Sequence, residues 1–156
     1  EQWLGRRVDA PPLTREDLTQ IPTSLTHNKS KLFLLPEANE ALQKMAEAAL
    51  NDGIQLTVHS AYRSEWYQRK IFSNMFKKGR TFADVIRYVA PPGYSEHALG
   101  TVVDFYPSNW RFAKTDEYRW LRKNGARFHF HETYTETGSV PWEAWHWRWI
   151  PPGKEK

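Results

Sequence analysis

The sequence predicts a single α+β domain in which a small central antiparallel sheet is flanked by helices. Its 156 residues suit one domain with one modest hydrophobic core. Segments with helical spacing come first, and short alternating segments typical of strands are interleaved unevenly among the later ones. A regular alternation of strand and helix would indicate a parallel sheet. Since the pattern lacks it, an antiparallel sheet fits better.

Helices are predicted over residues 36–53, 64–79, 82–88 and 116–125. The first begins at Pro36, because proline is favoured at the first helical position, and it stops at a glycine. Its apolar residues recur at helical spacing: Ala38, Ala41, Leu42, Met45, Ala46 and Ala49.

Strands are predicted over residues 31–35, 54–59, 101–105, 126–131 and 144–150, where apolar side chains alternate with polar ones or form short β-branched and aromatic runs. Between them, glycine and proline mark the turns.

The chain is divided into an irregular N-terminal arm, residues 1–35, packed on a domain that spans residues 36–156. Pro11, Pro12 and Pro22 interrupt the arm and leave no long periodic segment there. This division predicts that the catalytic chemistry belongs to residues 36–156.

Composition excludes several classes of function. The chain has no cysteine, so a thiolate nucleophile, a disulfide framework and a cysteine-ligated metal are all excluded. The net charge of +4 is carried by short basic blocks, which are typical of a solvated surface rather than a nucleic-acid site. No apolar run is long enough for a transmembrane helix. No export signal is present in the sequence, and we expect a monomer.

Two histidines and an aspartate form a candidate zinc site. Catalytic zinc is often held by three protein ligands, and two histidines with one carboxylate are an accepted set. His97 and Asp104 are separated by seven positions that include Gly100, enough chain for a turn to bring them together. His146 is the distant third ligand. Glu143, three residues earlier, can reach a water on the metal and take its proton.

One alternative metal site and one alternative binding surface come from the same part of the chain. His129 and His131 alternate with two phenylalanines in a predicted strand, and with His146 they would make an all-histidine set. That set leaves Asp104 and Glu143 without roles, so we favour the first site. In the last strand, three tryptophans share one side and are expected to pack into the core rather than form a stacking platform: Trp145, Trp147 and Trp149.

The sequence resembles the zinc D-alanyl-D-alanine carboxypeptidases, the VanY-like and LdcB-like branch of the hedgehog/DD-peptidase fold group. The resemblance covers residues 54–150 and is carried by three motifs in the family's order. They are Ser60-Ala-Tyr-Arg-Ser64, Ser95-Glu-His-Ala-Leu-Gly-Thr-Val-Val-Asp104 and Glu143-Ala-Trp-His146-Trp-Arg. Val102 stands where the family usually has alanine, and Ala144 replaces a frequent proline. Neither position supplies a ligand.

The resemblance implies a role for each matched residue. His97, Asp104 and His146 would bind one Zn²⁺, and a zinc-bound water would be the nucleophile. Glu143 would be the general base and then the acid that protonates the departing amine. Arg63 would stabilise the oxyanion. Substrate contacts are implied for four further residues, with Tyr62 and Ser95 lining the pocket of the terminal D-amino acid: Ser60, Tyr62, Gln68 and Ser95.

The implied activity is removal of the terminal D-alanine from peptidoglycan stem peptides, as a D,D- or an L,D-carboxypeptidase, in the periplasm or outside the cell. Two alternatives stay open. A peptidoglycan endopeptidase of the same fold group would cut inside stems or cross-links, and a non-catalytic cell-wall-binding module would keep the fold without turnover. Retention of both Glu143 and Arg63 favours an enzyme over a binding module.

Overall fold

The computed structural model describes residues 2–155 of the chain. Its helices are α1 (Pro36–Asn51), α2 (Glu65–Lys77), α3 (Phe82–Tyr88) and α4 (Asp116–Asn124). Its strands are β1 (Thr19–Gln20), β2 (Phe33–Leu34), β3 (Val58–Ser60), β4 (Val102–Phe105), β5 (Phe130–Glu132) and β6 (His146–Trp149). This small antiparallel sheet with helices around it confirms the predicted α+β class. No helix within residues 2–155 is long and apolar enough to cross a membrane.

A four-stranded antiparallel sheet with the order β3-β4-β6-β5 forms the centre of the fold. Strand β4 is buried along its whole length and pairs with β6 so that Asp104 lies opposite His146. Ser60, at the end of β3, lies opposite Asp104 on the other side. The strand register therefore brings two predicted metal ligands and one predicted substrate contact into neighbouring positions.

The two faces of the sheet have different chemistry because side chains alternate along a strand. Val103 and Phe105 of β4 and Trp147 and Trp149 of β6 belong to the main hydrophobic core, together with apolar residues of α1 and α4. Asp104, with its partner in β6, points to the opposite face. Burial of Trp147 and Trp149 confirms that this side of the last strand packs into the core, whereas Trp145 precedes β6, is only partly buried against the core and also lines a groove.

Local sequence signals explain where the helices begin. Pro36 is the first residue of α1. Ser64 caps α2 by accepting a hydrogen bond from Tyr67 N at 3.1 Å, as polar N-cap residues do. The fourth helix is capped by Thr115, whose hydroxyl accepts from Tyr118 N at 3.1 Å.

The strand predicted over residues 126–131 is wrong in its first half. Gly125–Phe128 form a 3-10 turn, and His129 adopts a left-handed conformation with φ 65°. Strand β5 begins only at Phe130, so the alternation of two histidines with two phenylalanines is not that of a continuous strand. The strands predicted over 54–59 and 144–150 are present but shorter, at Val58–Ser60 and His146–Trp149.

The N-terminal arm contains 3-10 turns and the two-stranded β1–β2 sheet. It contacts the rest of the chain at several points. Val8 N donates to Gly93 O at 2.9 Å, and Leu35 N donates to Gly100 O at 2.9 Å. The second contact joins the end of the arm to the segment between two predicted metal ligands.

Candidate metal centre

One groove of about 750 Å³ brings together all nine residues that the sequence singled out. It lies between the sheet face that carries Asp104, the segment that follows β3, and helices α2 and α3. The nine residues on its lining are Ser60, Tyr62, Arg63, Gln68, Ser95, His97, Asp104, Glu143 and His146.

Three of these residues converge on one point at the base of the groove. His97 Nε2 lies 3.1 Å from Asp104 Oδ2, and His146 Nδ1 lies 3.1 Å from Asp104 Oδ1. All three side chains are buried. Within residues 2–155 they are the only group of histidine and acidic side chains whose ligand atoms, each within 4.8 Å of the others, could hold a metal ion.

A hydrogen bond on the outer side of the His97 ring fixes its tautomer, so that Nε2 faces the site. Nδ1 lies 2.7 Å from Ala61 O, and because a carbonyl oxygen only accepts hydrogen bonds, Nδ1 carries the hydrogen. In a neutral ring Nε2 then presents a lone pair towards Asp104. The ligand is supplied by the turn Glu96–Leu99, which Ser95 caps by accepting from His97 N at 3.3 Å.

Glu96 orients His146 in the same way. Glu96 Oε2 lies 2.9 Å from His146 Nε2 and also accepts from the Thr133 hydroxyl at 2.7 Å. Burial acts to raise the pKa of Glu96, but its bonds to His146 and Thr133 hold the pKa at about 2. As a carboxylate it accepts the hydrogen on Nε2, and in a neutral ring Nδ1 then carries a lone pair. Orientation of metal-bound histidines by such outer acceptors is common.

Sequence reasoning did not assign a role to Glu96. The residue lies next to His97 in sequence, yet its carboxylate contacts His146, 50 positions away. One sequence signal was present, because Glu96 and Arg148 both belong to the matched motifs. In the structure, Arg148 Nη1 lies 3.4 Å from Glu96 Oε1. Motif membership alone does not say which ligand a carboxylate supports.

The electrostatic environment favours a positive charge where the three ligand atoms meet. Burial acts to lower the pKa of His146, but Asp104 and Glu96 outweigh it and raise the pKa to about 10. Burial likewise acts to raise the pKa of Asp104, yet His97 and His146 hold it below its usual range. A cation at this point would satisfy three buried groups at once.

The donor set and its spacing fit zinc. Ligands at roughly 2.0–2.1 Å around a tetrahedral zinc ion lie roughly 3.3 Å from one another. Each histidine nitrogen lies 3.1 Å from a different oxygen of Asp104, and one ligand atom from each of the three residues lies within 4.8 Å of the other two, a spacing that a zinc ion can close. Two imidazole nitrogens and one carboxylate also make a set that leaves a fourth position open, as in catalytic zinc sites.

Glu143 lies at the edge of this centre. Its Oε2 is 3.5 Å from His146 Nδ1, and its backbone N donates to Tyr134 O at 3.0 Å. Burial raises the pKa of Glu143 to about 7, with the attraction of His146 opposing that rise. The side chain can therefore exchange a proton near neutral pH, which is what an acid–base group requires.

Arg63 is held beside the metal ligands by two contacts. Its Nε donates to Ser60 Oγ at 3.0 Å, and its Nη2 donates to Asp104 Oδ2 at 3.3 Å. These contacts fix a cation at the groove wall within reach of a group bound at the metal. A fixed cation in a water-poor site suits the stabilisation of developing negative charge.

Gln68 and Ser95 line the groove as buried polar residues. The Gln68 amide nitrogen donates to Ala90 O at 2.8 Å, while its Oε1 has no hydrogen-bond partner within residues 2–155. Tyr62 is half-buried on the same lining, and burial raises the pKa of its hydroxyl. The groove thus presents the Tyr62 and Ser95 hydroxyls near the candidate ligands, while the unpaired Gln68 Oε1 is itself buried.

The alternative all-histidine site is not formed. His129 Nδ1 contacts Glu155 Oε1, and His131 Nε2 lies 3.7 Å from the same oxygen. Neither ring lines the groove that contains His146.

Gly100 closes the turn between the first two ligands. It has φ 73°, a conformation that side chains with a Cβ rarely adopt. A Cβ added there would lie 3.0 Å from both Leu13 Cδ1 and Leu35 Cγ of the arm. Only glycine allows this close approach between the arm and the ligand segment.

Comparison with known proteins identifies the family. The family model for VanY, D-alanyl-D-alanine carboxypeptidase, matches residues 31–152, which include every motif of the site. The chain belongs to the VanY D-alanyl-D-alanine carboxypeptidase family. Family membership was predicted from the three motifs and is confirmed.

The relatives and solved structures agree with this membership. A D-alanyl-D-alanine carboxypeptidase of Enterococcus faecalis (strain ATCC 700802 / V583) is 33% identical over 121 residues, which are 70% of this chain and 45% of that protein. The LdcB LD-carboxypeptidase structure superposes with a TM-score of 0.79 at 28% identity, covering 88% of this chain and 70% of that one.

Two structures of vancomycin-resistance VanY proteins are also similar. One is a D,D-pentapeptidase VanY variant from a VanB-type cassette in complex with Zn(II), with a TM-score of 0.66, 29% identity and coverage of 96% and 89%. The other is VanYB in complex with D-alanine-D-alanine, with a TM-score of 0.66, 30% identity and coverage of 96% and 87%. The VanY-family chain described here spans about half the length of the curated relatives it matches.

Proposed function

We propose that this VanY-family chain is a zinc-dependent carboxypeptidase that removes the terminal D-alanine from peptidoglycan stem peptides in the cell envelope. The observation that carries the proposal is the convergence of three ligand lone pairs, one carboxylate and one fixed arginine on a single groove. A binding module would need neither the carboxylate of Glu143 nor the guanidinium of Arg63. Amide hydrolysis needs both.

In this proposal one zinc ion is held by His97 Nε2, an oxygen of Asp104 and His146 Nδ1. Bound there, zinc would supply a Lewis acid and lower the pKa of a water from about 16 to about 7. The chain's own part is to turn one lone pair of each neutral imidazole, together with the carboxylate of Asp104, towards the groove. Ala61 O and Glu96 do so by accepting the hydrogens of the outer imidazole nitrogens.

Glu143 moves the protons of the reaction. As a carboxylate it takes a proton from the attacking water, and as an acid it returns that proton to the nitrogen of the departing D-alanine. Its pKa near 7 supports both steps, since a group that titrates near the working pH is efficient in each direction. A single carboxylate therefore serves as base and acid in turn.

Arg63 stabilises the negative charge that develops on the scissile carbonyl oxygen. Its two hydrogen bonds, to Ser60 and Asp104, hold the guanidinium before substrate arrives. Little reorganisation is then required as charge develops, which is the main advantage of a preorganised site.

The substrate is held by the polar lining of the groove. Gln68 lies on the groove lining and would contact the peptide; its amide nitrogen donates to Ala90 O, and its buried Oε1 has no partner within residues 2–155. Ser95, Tyr62 and Ser60 surround the space beside the ligands and contact the terminal D-amino acid. VanYB in complex with D-alanine-D-alanine supports this class of ligand for the same fold.

The test uses two defined substrates. The zinc-loaded protein is incubated with a stem pentapeptide and with a stem tetrapeptide, and release of D-alanine is followed by mass spectrometry. Release from the pentapeptide indicates D,D-specificity and release from the tetrapeptide indicates L,D-specificity. If neither peptide loses D-alanine, the proposal is wrong.

A third sample separates terminal from internal cleavage. Intact sacculi are incubated with the same protein, and their turbidity is recorded. Constant turbidity together with D-alanine release is expected of a carboxypeptidase, whereas clearing of the suspension would indicate an endopeptidase.

A further inference from the structure

Trp3, in the N-terminal arm, lies buried beside the loop that follows β5. Only 8% of its surface is exposed, and its indole Nε1 donates to Ile86 O of α3 at 2.7 Å. The Gln2 amide donates to the same oxygen. An aromatic ring with both its apolar body and its N–H engaged has a defined position.

Two aromatic contacts connect Trp3 to a metal ligand. Trp3 meets Tyr134 edge-on, with ring centroids 6.0 Å apart and planes at 74°. Tyr134 then stacks face to face on His146, with centroids 4.1 Å apart and planes at 6°. With Val140, the first two rings form a small apolar cluster separate from the main core.

The contact with Tyr134 restrains a motion of His146 that its hydrogen bonds do not. Asp104 and Glu96 contact the two ring nitrogens, and hydrogen bonds to ring nitrogens are directed along the imidazole plane. Contacts at two points in one plane leave the ring free to tilt about the line that joins them. The Tyr134 ring, which stacks on the face of the imidazole, opposes that tilt.

We propose that Trp3 is a positioning residue for His146, acting through Tyr134, so that the N-terminal arm is a working part of the metal centre. The family match begins at residue 31, so this contribution lies outside the matched region. The inference rests on the zinc site of the proposed function and concerns the orientation of one ligand.

The experiment compares three variants of the full chain. Trp3→Leu keeps an apolar side chain in the cluster but removes the aromatic edge and the N–H. Trp3→Phe restores an aromatic edge without the N–H. Leu4→Ala changes a neighbouring side chain that is 77% exposed and serves as the control.

Zinc affinity is measured by competition with a chelator, and ligand geometry is followed by the visible absorption of the Co²⁺-substituted protein. Trp3→Leu is expected to weaken zinc binding about tenfold, the low end for residues that support a ligand from outside, and to shift the Co²⁺ bands. Trp3→Phe should lie between Trp3→Leu and the parent. Leu4→Ala should match the parent.

Thermal unfolding of the chelated variants separates positioning from general stability. If Trp3→Leu unfolds at a lower temperature but keeps parental zinc affinity and Co²⁺ bands, Trp3 only stabilises the fold and the proposal is wrong. If Trp3→Leu does not fold, Trp3→Phe decides, and parental values in both metal readouts contradict the proposal. The zinc readouts need no peptide, so absence of hydrolysis by the parent would count against the proposed activity alone.

Discussion

In the proposed function, the residues in and around the groove divide into those that orient the metal ligands and those that act on the peptide. Ala61 O and Glu96 fix the two imidazoles from outside. Glu143 and Arg63 face the groove from its sides, with 21% and 24% of their side chains exposed. This division predicts that metal binding and turnover can be separated by substitution.

Glu143→Gln should keep zinc and lose activity. The amide keeps the size of the carboxylate but cannot take a proton, and loss of a general base lowers kcat by roughly 10²–10⁴-fold. Metal content by mass spectrometry and D-alanine release together test this. Glu136→Gln, in an exposed turn, is the matched control, and His97→Ala should lose both metal and activity. Near-normal turnover by Glu143→Gln would show that another group is the base.

Arg63→Lys should lower kcat by roughly 10²–10³-fold, the usual effect of removing one preorganised oxyanion donor. A lysine keeps the charge but cannot contact Ser60 and Asp104 at the same time as the substrate. Steady-state kinetics on the released D-alanine measure the change. Arg69→Lys, at an exposed pair with Glu65 on α2, should be silent. An unchanged kcat in Arg63→Lys would remove Arg63 from the reaction.

The sequence carried enough information to predict which residues meet in the groove, but not which residues contact them from outside. The proposed ligands and the proposed base lie in motifs whose spacing favours a metal site. Glu96 and Tyr134 act through contacts with His146 that depend on how distant segments meet in the fold. The sequence around Glu96 and around Tyr134 has no local pattern that would indicate these contacts.

Among the elements, the segment from Glu96 to Phe105 does the most to shape the site. A 3-10 turn carries His97, Gly100 reverses the chain, and strand β4 carries Asp104 into the sheet. The positive φ of Gly100 and its contacts with Leu13 and Leu35 connect this segment to the arm.

Gly100→Ala should destabilise the protein more than Gly53→Ala does. Both glycines have positive φ, and the strain of a Cβ there costs roughly 1–2 kcal/mol. The space around Gly53 is open, whereas a Cβ at Gly100 would press on two leucines, which adds roughly 1–3 kcal/mol. Urea unfolding of the two variants measures the difference. Equal losses of unfolding free energy in the two variants would mean that Leu13 and Leu35 can move aside without destabilising the fold.

Elements with strong local signals were predicted well, and those governed by turns were not. Helix α1 has a proline at its start, helical spacing and a glycine after its end, and its limits were predicted closely. The segment from Gly125 to His131 alternates in polarity as a strand would, but a 3-10 turn directly after α4 and the left-handed His129 occupy its first part. Alternation alone cannot report such a turn.

For the whole molecule, the metal centre joins parts of the fold that are otherwise held by separate contacts. The central sheet carries two of the candidate ligands, the loop after β5 contacts His146 through Tyr134, and the arm contacts Tyr134 through Trp3. A ligand that binds only the folded chain stabilises it by an amount set by its concentration relative to Kd.

Removal of zinc should therefore lower the thermal stability of the protein. At zinc concentrations of about 1,000 times Kd the stabilisation is about 4 kcal/mol, which corresponds to roughly 8–16 °C in Tm for a chain of this size. Calorimetry with zinc and with a chelator measures the shift. His97→Ala should unfold at one temperature under both conditions. An identical Tm for the parent in zinc and chelator would argue against a folded-state metal site.

The pairing of Asp104 with His146 also imposes an order of events on the maturation of the protein. These two residues are 42 positions apart and meet only when β4 and β6 have found their register, whereas His97 and Asp104 are neighbours at short range. If the proposed zinc site is correct, a chain that has not completed its central sheet would offer two ligands at most and would hold zinc weakly. Metal binding would then be completed only by molecules with the correct strand register, and the proposed activity would be acquired last.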